Sequence, residues 1–171
     1  KIGDTMSYEE RFRTAYLELQ QVCQEAGWGD PFSYARGKEM FMAIELGHSV
    51  ADTLSGADAY NQNGEPVEYK STIGKSISGT YNGISVLDTW EEQEEYLQNK
   101  KIGCYGEHYI ARFGKESGVI EEMYLLTGEQ ACEILIPKLA KKYPTQLTKK
   151  DPRLGATITK AEIYKYGTRI V

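Results

Sequence analysis

The 171-residue chain is poor in the two side chains that most often hold transition metals, with three cysteines and two histidines. Cys23, Cys104 and Cys132 are far apart, odd in number and form no CxxC pair. A disulfide framework and a structural zinc site are therefore not expected, and a reducing cytoplasm is the expected compartment. The scarcity of histidine directs the search for chemistry to carboxylates, lysine and tyrosine, or to a metal ion that they hold.

Long apolar runs and net positive charge are also missing. No stretch approaches the roughly 18 apolar residues that span a bilayer, so no membrane segment is predicted. The first ten residues are too polar for a secretory signal. The formal net charge of −5 argues against a nonspecific nucleic-acid binder. The length and the 40% hydrophobic content predict one globular domain over residues 1–171.

Charge is unevenly distributed along the chain. The segment from Pro137 to Val171 contains nine basic and two acidic residues, a net charge of +7, whereas the rest of the chain carries −12. Two interpretations stay open. The segment is a solvated helix end and loop, or it is a basic flank that meets phosphates while acidic residues elsewhere collect metal ions.

The order of helical and strand patterns predicts an α+β fold, a mixed central β-sheet flanked by helices. A capping box of Ser7 and Glu10 begins an amphipathic helix that ends at Ala26. The stretch Gly74–Gly83 is rich in Gly, Ser, Thr and Asn and is interpreted as a mobile or ligand-facing loop. Further helices are predicted at 37–46, at 89–99 with a cap of Asp88 and Glu91, and after a cap of Thr127 and Gln130, the last with a kink at Pro137. Further strands are predicted at 108–113, 119–126 and 157–166. A basic connector over 142–155 precedes the final strand.

A β-hairpin is predicted around Asn63-Gly64, the strongest short hairpin signal in the sequence. Segments 57–62 and 66–73 flank this turn. Residues two apart in a strand project from the same face, so Glu68 and Lys70 should lie side by side. Because the turn folds the preceding strand back, Asp58 can join them. Two carboxylates and an ammonium group would then share one sheet face.

This trio suits metal-assisted hydrolysis of a phosphodiester. Asp58 and Glu68 would supply hard oxygen ligands to one or two Mg²⁺ ions, and the backbone carbonyl of Tyr69 would add another. Lys70 would contact the attacking water and stabilise the charge that develops on the phosphate. A surface hairpin with a cross-strand ion pair has the same spacing, so the spacing alone leaves both interpretations open.

The residues around the trio resemble a known family. Ala57-Asp58 followed by Val67-Glu68-Tyr69-Lys70-Ser71 is similar to the motif of the PD-(D/E)XK nucleases. It is closer still to the PvuII-like type II restriction endonucleases, which have Asn-Asp followed, at the same separation, by Glu-Leu-Lys-Ser. Gly37-Lys38 and Gly167-Thr168-Arg169-Ile170 also have counterparts there, and the order of predicted elements agrees along most of the chain.

The resemblance implies a restriction-endonuclease-like fold and a Mg²⁺-dependent homodimer that cuts both strands of DNA in the cytoplasm of a prokaryote or in a virus, as part of restriction–modification. Asp58, Glu68 and Lys70 carry over as catalytic residues, and Asp58, Glu68 and Tyr69 as metal ligands. The helix at about 7–26 either becomes a dimerisation element or turns its apolar stripe toward the core of its own chain. The sequence departs from the family's pattern in two places. Ala57 stands where the family usually has another residue before the aspartate. The segment 74–101 lacks the family's recognition histidines and carries an extra acidic helix. A different recognition sequence is therefore expected.

Candidates for contact with double-stranded DNA follow from the resemblance and from charge. Tyr34 occupies the position of a minor-groove contact, and the stretch from Ser78 to Asn82 that of a major-groove loop. Amides and hydroxyls can read base edges, whereas ammonium groups meet phosphates. The alternatives are a plain polar loop and, for Tyr34, a buried or capping tyrosine. The candidates are Tyr34, Lys75, Ser78, Thr80, Tyr81, Asn82 and, on the predicted final strand, Lys160 and Lys165.

Four further titratable residues have less specific interpretations. Glu39 and Glu45 on the second helix either support a metal ion through water, as a helix glutamate does in many related nucleases, or form a solvated helix face, which is favoured. His48 is expected to be structural or at the surface. His108 could be a general base, but an edge-strand histidine is the favoured interpretation.

Three functions stay open at this stage. The favoured one is a dimeric, site-specific DNA endonuclease. The second is another PD-(D/E)XK nuclease, acting in repair or on particular DNA structures. The third is a non-catalytic α+β binding module in which Asp58, Glu68 and Lys70 form a surface ion-pair ladder. The products formed from duplex DNA distinguish the three functions. Discrete fragments indicate a site-specific endonuclease, products without discrete fragments indicate another nuclease of this type, and the binding module predicts no cleavage with any divalent metal.

Overall fold

Two β-sheets are present in a computed structural model that describes residues 5–52 and 56–171. The six-stranded sheet has the order β1-β2-β3-β5-β6-β8, and β4 pairs with β7 in the second sheet. Strands β3 and β5 are parallel and every other neighbouring pair is antiparallel. The strands are β1 Ser49–Val50, β2 Ala59–Tyr60, β3 Pro66–Ile73, β4 Gly79–Ser85, β5 Glu107–Phe113, β6 Ile120–Thr127, β7 Arg153–Ile158 and β8 Thr168–Arg169. The α+β class and the mixed central sheet are confirmed.

Helices flank the sheets. They are α1 Tyr8–Ala26, α2 Arg36–Leu46, α3 Trp90–Tyr96, a π-helical segment Leu97–Lys101, α4 Gly128–Leu147 and α5 Lys160–Tyr166. The capping boxes that begin α1 and α4 have both predicted hydrogen bonds, at Ser7 and at Thr127. Helix α3 begins one residue later than predicted, because the hydroxyl of Thr89, not Asp88, accepts from the N–H of Glu92.

The six-stranded sheet is covered on both faces by apolar side chains. Alternation along β5 sends Tyr109 and Ala111 to the face under α2, and Ile110 to the opposite face. The core on the α2 side also contains Met42, Val67, Tyr69 and Met123. The second core contains Leu126 with residues of α4, β4 and β7, among them Leu135, Leu139, Ile84 and Leu154. Strands β5 and β6 therefore belong to both cores, whereas β3 contributes its buried apolar side chains only to the core on the α2 side.

The predicted hairpin is present, although its first strand is only two residues long. Ala59 pairs with Val67 and Tyr60 with Pro66. Gly64 has φ of +77°, a left-handed conformation that glycine adopts without strain. The side-chain oxygen of Asn61 accepts from the backbone N–H groups of Asn63 and Glu65, both at 3.0 Å, and holds the turn closed. The turn fixes the register of β3 against the segment that contains Asp58.

Three predicted elements are wrong. The stretch 74–83 is not a loop throughout, because β4 begins at Gly79 and pairs with β7. The final strand predicted at 157–166 is mostly helix α5, which is begun by a capping box of Thr159 and Glu162. Lys160 and Lys165 therefore lie on a helix and not on a strand. Helix α4 continues through Pro137 to Leu147, so the connector predicted to begin at 142 is helical in its first part.

Helix α1 contributes little to either core, and Cys23 is its one buried residue. Its largest apolar side chains are exposed, with Tyr8 83% and Phe12 72% accessible. The stacking of Tyr16 on Phe32, with ring centroids 4.8 Å apart, joins α1 to the segment before α2. All three cysteines are free thiols. Within residues 5–52 and 56–171, no helix combines the length and the apolar character needed to cross a membrane.

Candidate active site

Asp58 lies directly before β2, where it faces β3. Its backbone N–H donates to the carbonyl of Val67 at 3.2 Å. Its side-chain Oδ2 accepts from the backbone N–H of Tyr69 at 2.7 Å. The pairing of β2 with β3 ends at Val67, so the aspartate satisfies the next N–H that points to this edge. The N–H and C=O of one strand residue point the same way, and the carbonyl of Tyr69 therefore faces the edge where Asp58 lies.

Glu68 and Lys70 project from the same face of β3, as the period of two predicts. Lys70 Nζ lies 3.0 Å from Glu68 Oε1, and 4.8 Å from the ring centroid of Tyr81 on β4. Asp58, Glu68 and Lys70 together line a cavity of about 420 Å³. The structure thus brings together the three residues that the sequence singled out.

Both carboxyl groups at this cavity are harder to ionise than in water. Burial, together with the nearby charge of Asp58, raises the pKa of Glu68 to about 7, although the ammonium group of Lys70 opposes the shift. Burial also raises the pKa of Asp58, against the hydrogen bond from Tyr69 and the charge of Lys70. Buried carboxylates that repel one another favour a cation between them, because a bound cation stabilises the ionised forms.

The donor set is of the kind that Mg²⁺ uses. In the part of the chain that the structure describes, no three histidine, cysteine, aspartate or glutamate side chains gather as a ready-made metal site. Mg²⁺ is commonly held by one or two carboxylates together with substrate phosphates and water. Asp58, Glu68 and the carbonyl edge of Tyr69 supply oxygen donors of this type, so the residues present fit the ion in kind and number.

Tyr81, a sequence-based candidate for DNA contact, has its side chain buried in the protein. It is 5% exposed, and its hydroxyl lies 2.8 Å from Nδ1 of His108. His108 Nε2 lies 3.0 Å from the carbonyl of Ile102, which can only accept, so Nε2 carries the proton and Nδ1 accepts from Tyr81. Burial lowers the pKa of His108 to about 4. The histidine is therefore neutral at pH 7, and it occupies the central strand β5 rather than an edge.

The remaining candidates on and before β4 differ in exposure. Thr80 and Asn82 are exposed, because they alternate with the buried Tyr81. Asn82 lines the cavity that holds Asp58 and Lys70, whereas the hydroxyl of Thr80 bonds that of Thr157 at 3.0 Å. Lys75 is exposed and Ser78 half-buried in the turn that precedes β4.

Tyr34 lies at the site, whereas the two lysines of α5 do not. Tyr34 is fully exposed with φ of +50°, and it lines a second cavity of about 460 Å³ together with Asp58 and Lys70. A tyrosine in this left-handed region is strained, a feature that tends to occur at functional sites. Lys160 and Lys165 lie on α5, which packs on β6, two strands from β3, and they line neither cavity at the site.

Helix α2 adds two charged residues to the second cavity. Glu39 lines it, and burial, followed by the nearby charge of Asp58, raises the pKa of Glu39. Glu39 therefore faces the site, contrary to the favoured interpretation, whereas Glu45 is exposed in agreement with it. Arg36, which the sequence reasoning missed, is 2% exposed, donates to the carbonyls of Trp28 and Ala51, and lies 3.7 Å from Glu39. Their i, i+3 spacing at the start of α2 was the available signal.

A polar cluster on the opposite face of β3 holds the strand in place. The hydroxyl of Tyr69 lies 2.7 Å from Nδ1 of His48, which is structural, as expected. The hydroxyl of Tyr109 donates to Glu107, which also accepts from the side chain of Asn61. Tyr69 is thus fixed by its side chain on one face, while its backbone N–H orients Asp58 at the edge.

Comparison with known proteins does not identify the chain. Neither protein-family models nor curated protein sequences give a match. The function is therefore argued from the geometry of the site.

Proposed function

We propose that this protein is a Mg²⁺-dependent endodeoxyribonuclease of the PD-(D/E)XK type. In particular, we propose a type II restriction endonuclease that acts as a homodimer on specific sites in double-stranded DNA. The observation that carries the proposal is the convergence of Asp58, Glu68 and Lys70 on one cavity. The mixed sheet, with α2 packed against the strand that bears Glu68 and Lys70, supports a restriction-endonuclease-like fold.

Each residue has a role that its surroundings favour. Asp58, Glu68 and the carbonyl of Tyr69 would hold Mg²⁺, which when bound supplies a Lewis acid for the phosphate and lowers the pKa of water. The hydrogen bond from Tyr69 fixes the orientation of Asp58. Lys70 is held between Glu68 and the ring of Tyr81, and its remaining N–H groups can donate to the attacking water or to a phosphate oxygen.

The burial of these carboxylates favours an active site over a surface ion-pair ladder. A solvated ladder leaves both partners exposed and their pKa values near the ordinary range. Here the side chain of Glu68 is 16% exposed, and burial raises the pKa of both carboxyl groups. Such unfavourable placement of charge is typical of sites with a chemical role.

Substitution of Asp58 tests the proposal. We expect Asp58→Ala to lower the cleavage of long duplex DNA in Mg²⁺ by at least about a thousand-fold, because it deletes a metal ligand. Binding measured in Ca²⁺, which is expected to permit binding without cutting, should persist because no base contact is lost. Asp151→Ala is the matched control, since this aspartate is exposed on the basic connector. Cleavage by Asp58→Ala at the wild-type rate would falsify the assignment.

The products of the wild-type protein separate the remaining functions. Discrete fragments with defined ends, mapped by sequencing, support a restriction endonuclease. Cleavage confined to branched or damaged DNA points to a repair or structure-selective nuclease of the same type. The absence of cleavage with every divalent metal tested would leave the non-catalytic binding module.

A further inference from the structure

The π-helical segment Leu97–Lys101 carries lysines to the site cavity. The N–H of Ile102 donates to the carbonyl of Leu97 at 2.9 Å, five residues back, and the N–H of Gly103 donates to the same oxygen at 3.1 Å. A π turn contains one residue more than an α turn, so the side chains that follow point in directions that a continued α-helix would not give them. Short π segments frequently occur at functional sites.

Buried residues fix this segment at both ends. Leu97 and Ile102 are fully buried in the core beside α4. The buried side chain of Gln93 donates to the carbonyl of Ser85 at 3.1 Å and accepts from the N–H of Leu87 at 2.7 Å. The backbone that bears Lys100 and Lys101 is therefore anchored, while both side chains remain exposed.

Lys101 brings to the cavity an ammonium group that is not paired with a carboxylate of the described residues. It lines the cavity of Asp58 and Glu68, and within the described residues its ammonium group forms no ion pair within 4.0 Å and no hydrogen bond. Lys70, by contrast, is engaged by Glu68 and by the ring of Tyr81. Lys100 lines the same cavity, but it also borders a neighbouring one that contains Glu92 and Glu95. Lys101 is thus the lysine best placed to meet an incoming anion.

We infer that Lys101 binds a phosphate group of the DNA backbone where the strand enters the cavity, with Lys100 beside it. This inference rests on the proposed function and names a substrate contact for it. The half-buried carboxylates at the cavity repel a phosphodiester, and the ammonium group of Lys101, which lines the same cavity, favours its entry. Lysine serves as a point charge toward phosphate. The acidic residues in the first turn of α3 disfavour contact of that helix with DNA. The two lysines lie at the other end, in the last turn of the π-helical segment that follows α3.

Salt-dependent binding tests the inference. The probe is a short mixed-sequence duplex with a fluorescent label, titrated in Ca²⁺ so that no cleavage intervenes. We expect Lys101→Ala to weaken binding about 5- to 10-fold at low salt, and to reduce the slope of log K against log salt by about 0.9 per protomer. Lys101→Arg should restore both quantities, because it keeps the charge. The matched control is Lys115→Ala, an exposed lysine in the turn between β5 and β6 that lines neither cavity at the site.

The outcomes separate this inference from the proposed function. If the wild-type protein binds and cuts DNA but Lys101→Ala matches Lys115→Ala in affinity and slope, this inference alone is overturned. If Lys101→Arg behaves as Lys101→Ala does, charge is not what the position contributes, and the phosphate contact is likewise overturned. A wild-type protein that neither binds nor cuts DNA overturns both. Loss of affinity with a reduced slope, rescued by arginine, supports the contact.

Discussion

The ionisation of Glu68 is costly in the metal-free protein. Its pKa rises from an ordinary 4.5 to about 7 in the folded state, chiefly through burial. Between these values the folded protein binds more protons than the unfolded chain, so the free energy of unfolding decreases as the pH rises through this window. One pKa unit corresponds to about 1.4 kcal/mol, and the full shift therefore to about 3 kcal/mol.

Glu68→Gln should remove this pH dependence. In the metal-free state we expect the variant to be more stable than the wild type by up to about 3 kcal/mol above pH 7, and the difference to vanish toward pH 4.5. Urea unfolding in a chelator across this range measures it. His108 acts in the opposite direction, because its lowered pKa gives stability that is lost as the pH falls from 6.5 to about 4. That contribution is common to both proteins and cancels. A difference independent of pH would contradict the argument.

At the scale of elements, β4 and α5 carry two different kinds of DNA candidate. Asn82 on β4 faces the cavity and can offer a donor and an acceptor to one base, whereas Lys160 and Lys165 on α5 offer only charge. Their ammonium groups lie 5.7 Å and 5.0 Å from the ring centroids of Tyr164 and Tyr166.

Substitutions on these two elements should have different effects on sequence discrimination. We expect Asn82→Ala to cost about 1–3 kcal/mol on the specific duplex and little on a scrambled one, as for the loss of a bidentate base contact. Lys165→Ala should weaken both duplexes alike. Binding of the two duplexes across a salt series measures the contrast. Equal losses on both duplexes for Asn82→Ala would remove β4 as the element that reads bases.

The elements that begin or turn at a short sequence motif could be predicted from the sequence. The capping boxes at Ser7 and Thr127 and the turn at Asn63-Gly64 act over a few residues, and each element they specify is present. The same kind of signal is present at Thr159 and Glu162 and indicates the start of α5, although a strand is predicted over 157–166. Strand β4 had no comparable signal, because it is completed by β7, with Thr80 paired to Thr157.

The same distinction applies to the site. Asp58, Glu68 and Lys70 belong to one hairpin, so their convergence could be deduced from spacing and a turn. Glu39 comes from α2 and Lys101 from the π-helical segment, and only tertiary packing brings either to the cavity. Tyr81 was assigned to a loop, and its burial beneath Lys70 could not be anticipated without the strand that positions it.

At the scale of the whole molecule, we propose that helix α1 is the surface that a second copy covers. Cutting both strands of a palindromic site requires two active sites related by a twofold axis, so a symmetric dimer is expected. Tyr8 and Phe12 lie four residues apart on one side of α1 and are largely exposed. An apolar stripe of this kind is favourable when a symmetry-related stripe packs against it.

Substitution on α1 tests this dimer. We expect the wild type to sediment as a dimer at micromolar concentration and Phe12→Glu to sediment as a monomer, because a buried unpaired carboxylate is unfavourable. Thr14→Glu is the matched control: Thr14 is also exposed, but it lies about 200° around the helix from Phe12. A wild-type protein that is monomeric both free and bound to DNA would exclude the dimer.

The parallel pairing of β3 with β5 has a consequence for the order in which the protein folds. Glu68 pairs with His108, about 40 residues further along the chain, and the intervening segment supplies both Tyr81 and Lys101. The hairpin that carries Asp58 and Glu68 closes over a few residues, whereas parallel pairing across so long a connection pays a larger loop-closure entropy and is slow. We therefore expect the two carboxylates to meet Lys70 early in folding, and Tyr81 and Lys101 to arrive only when the crossover closes.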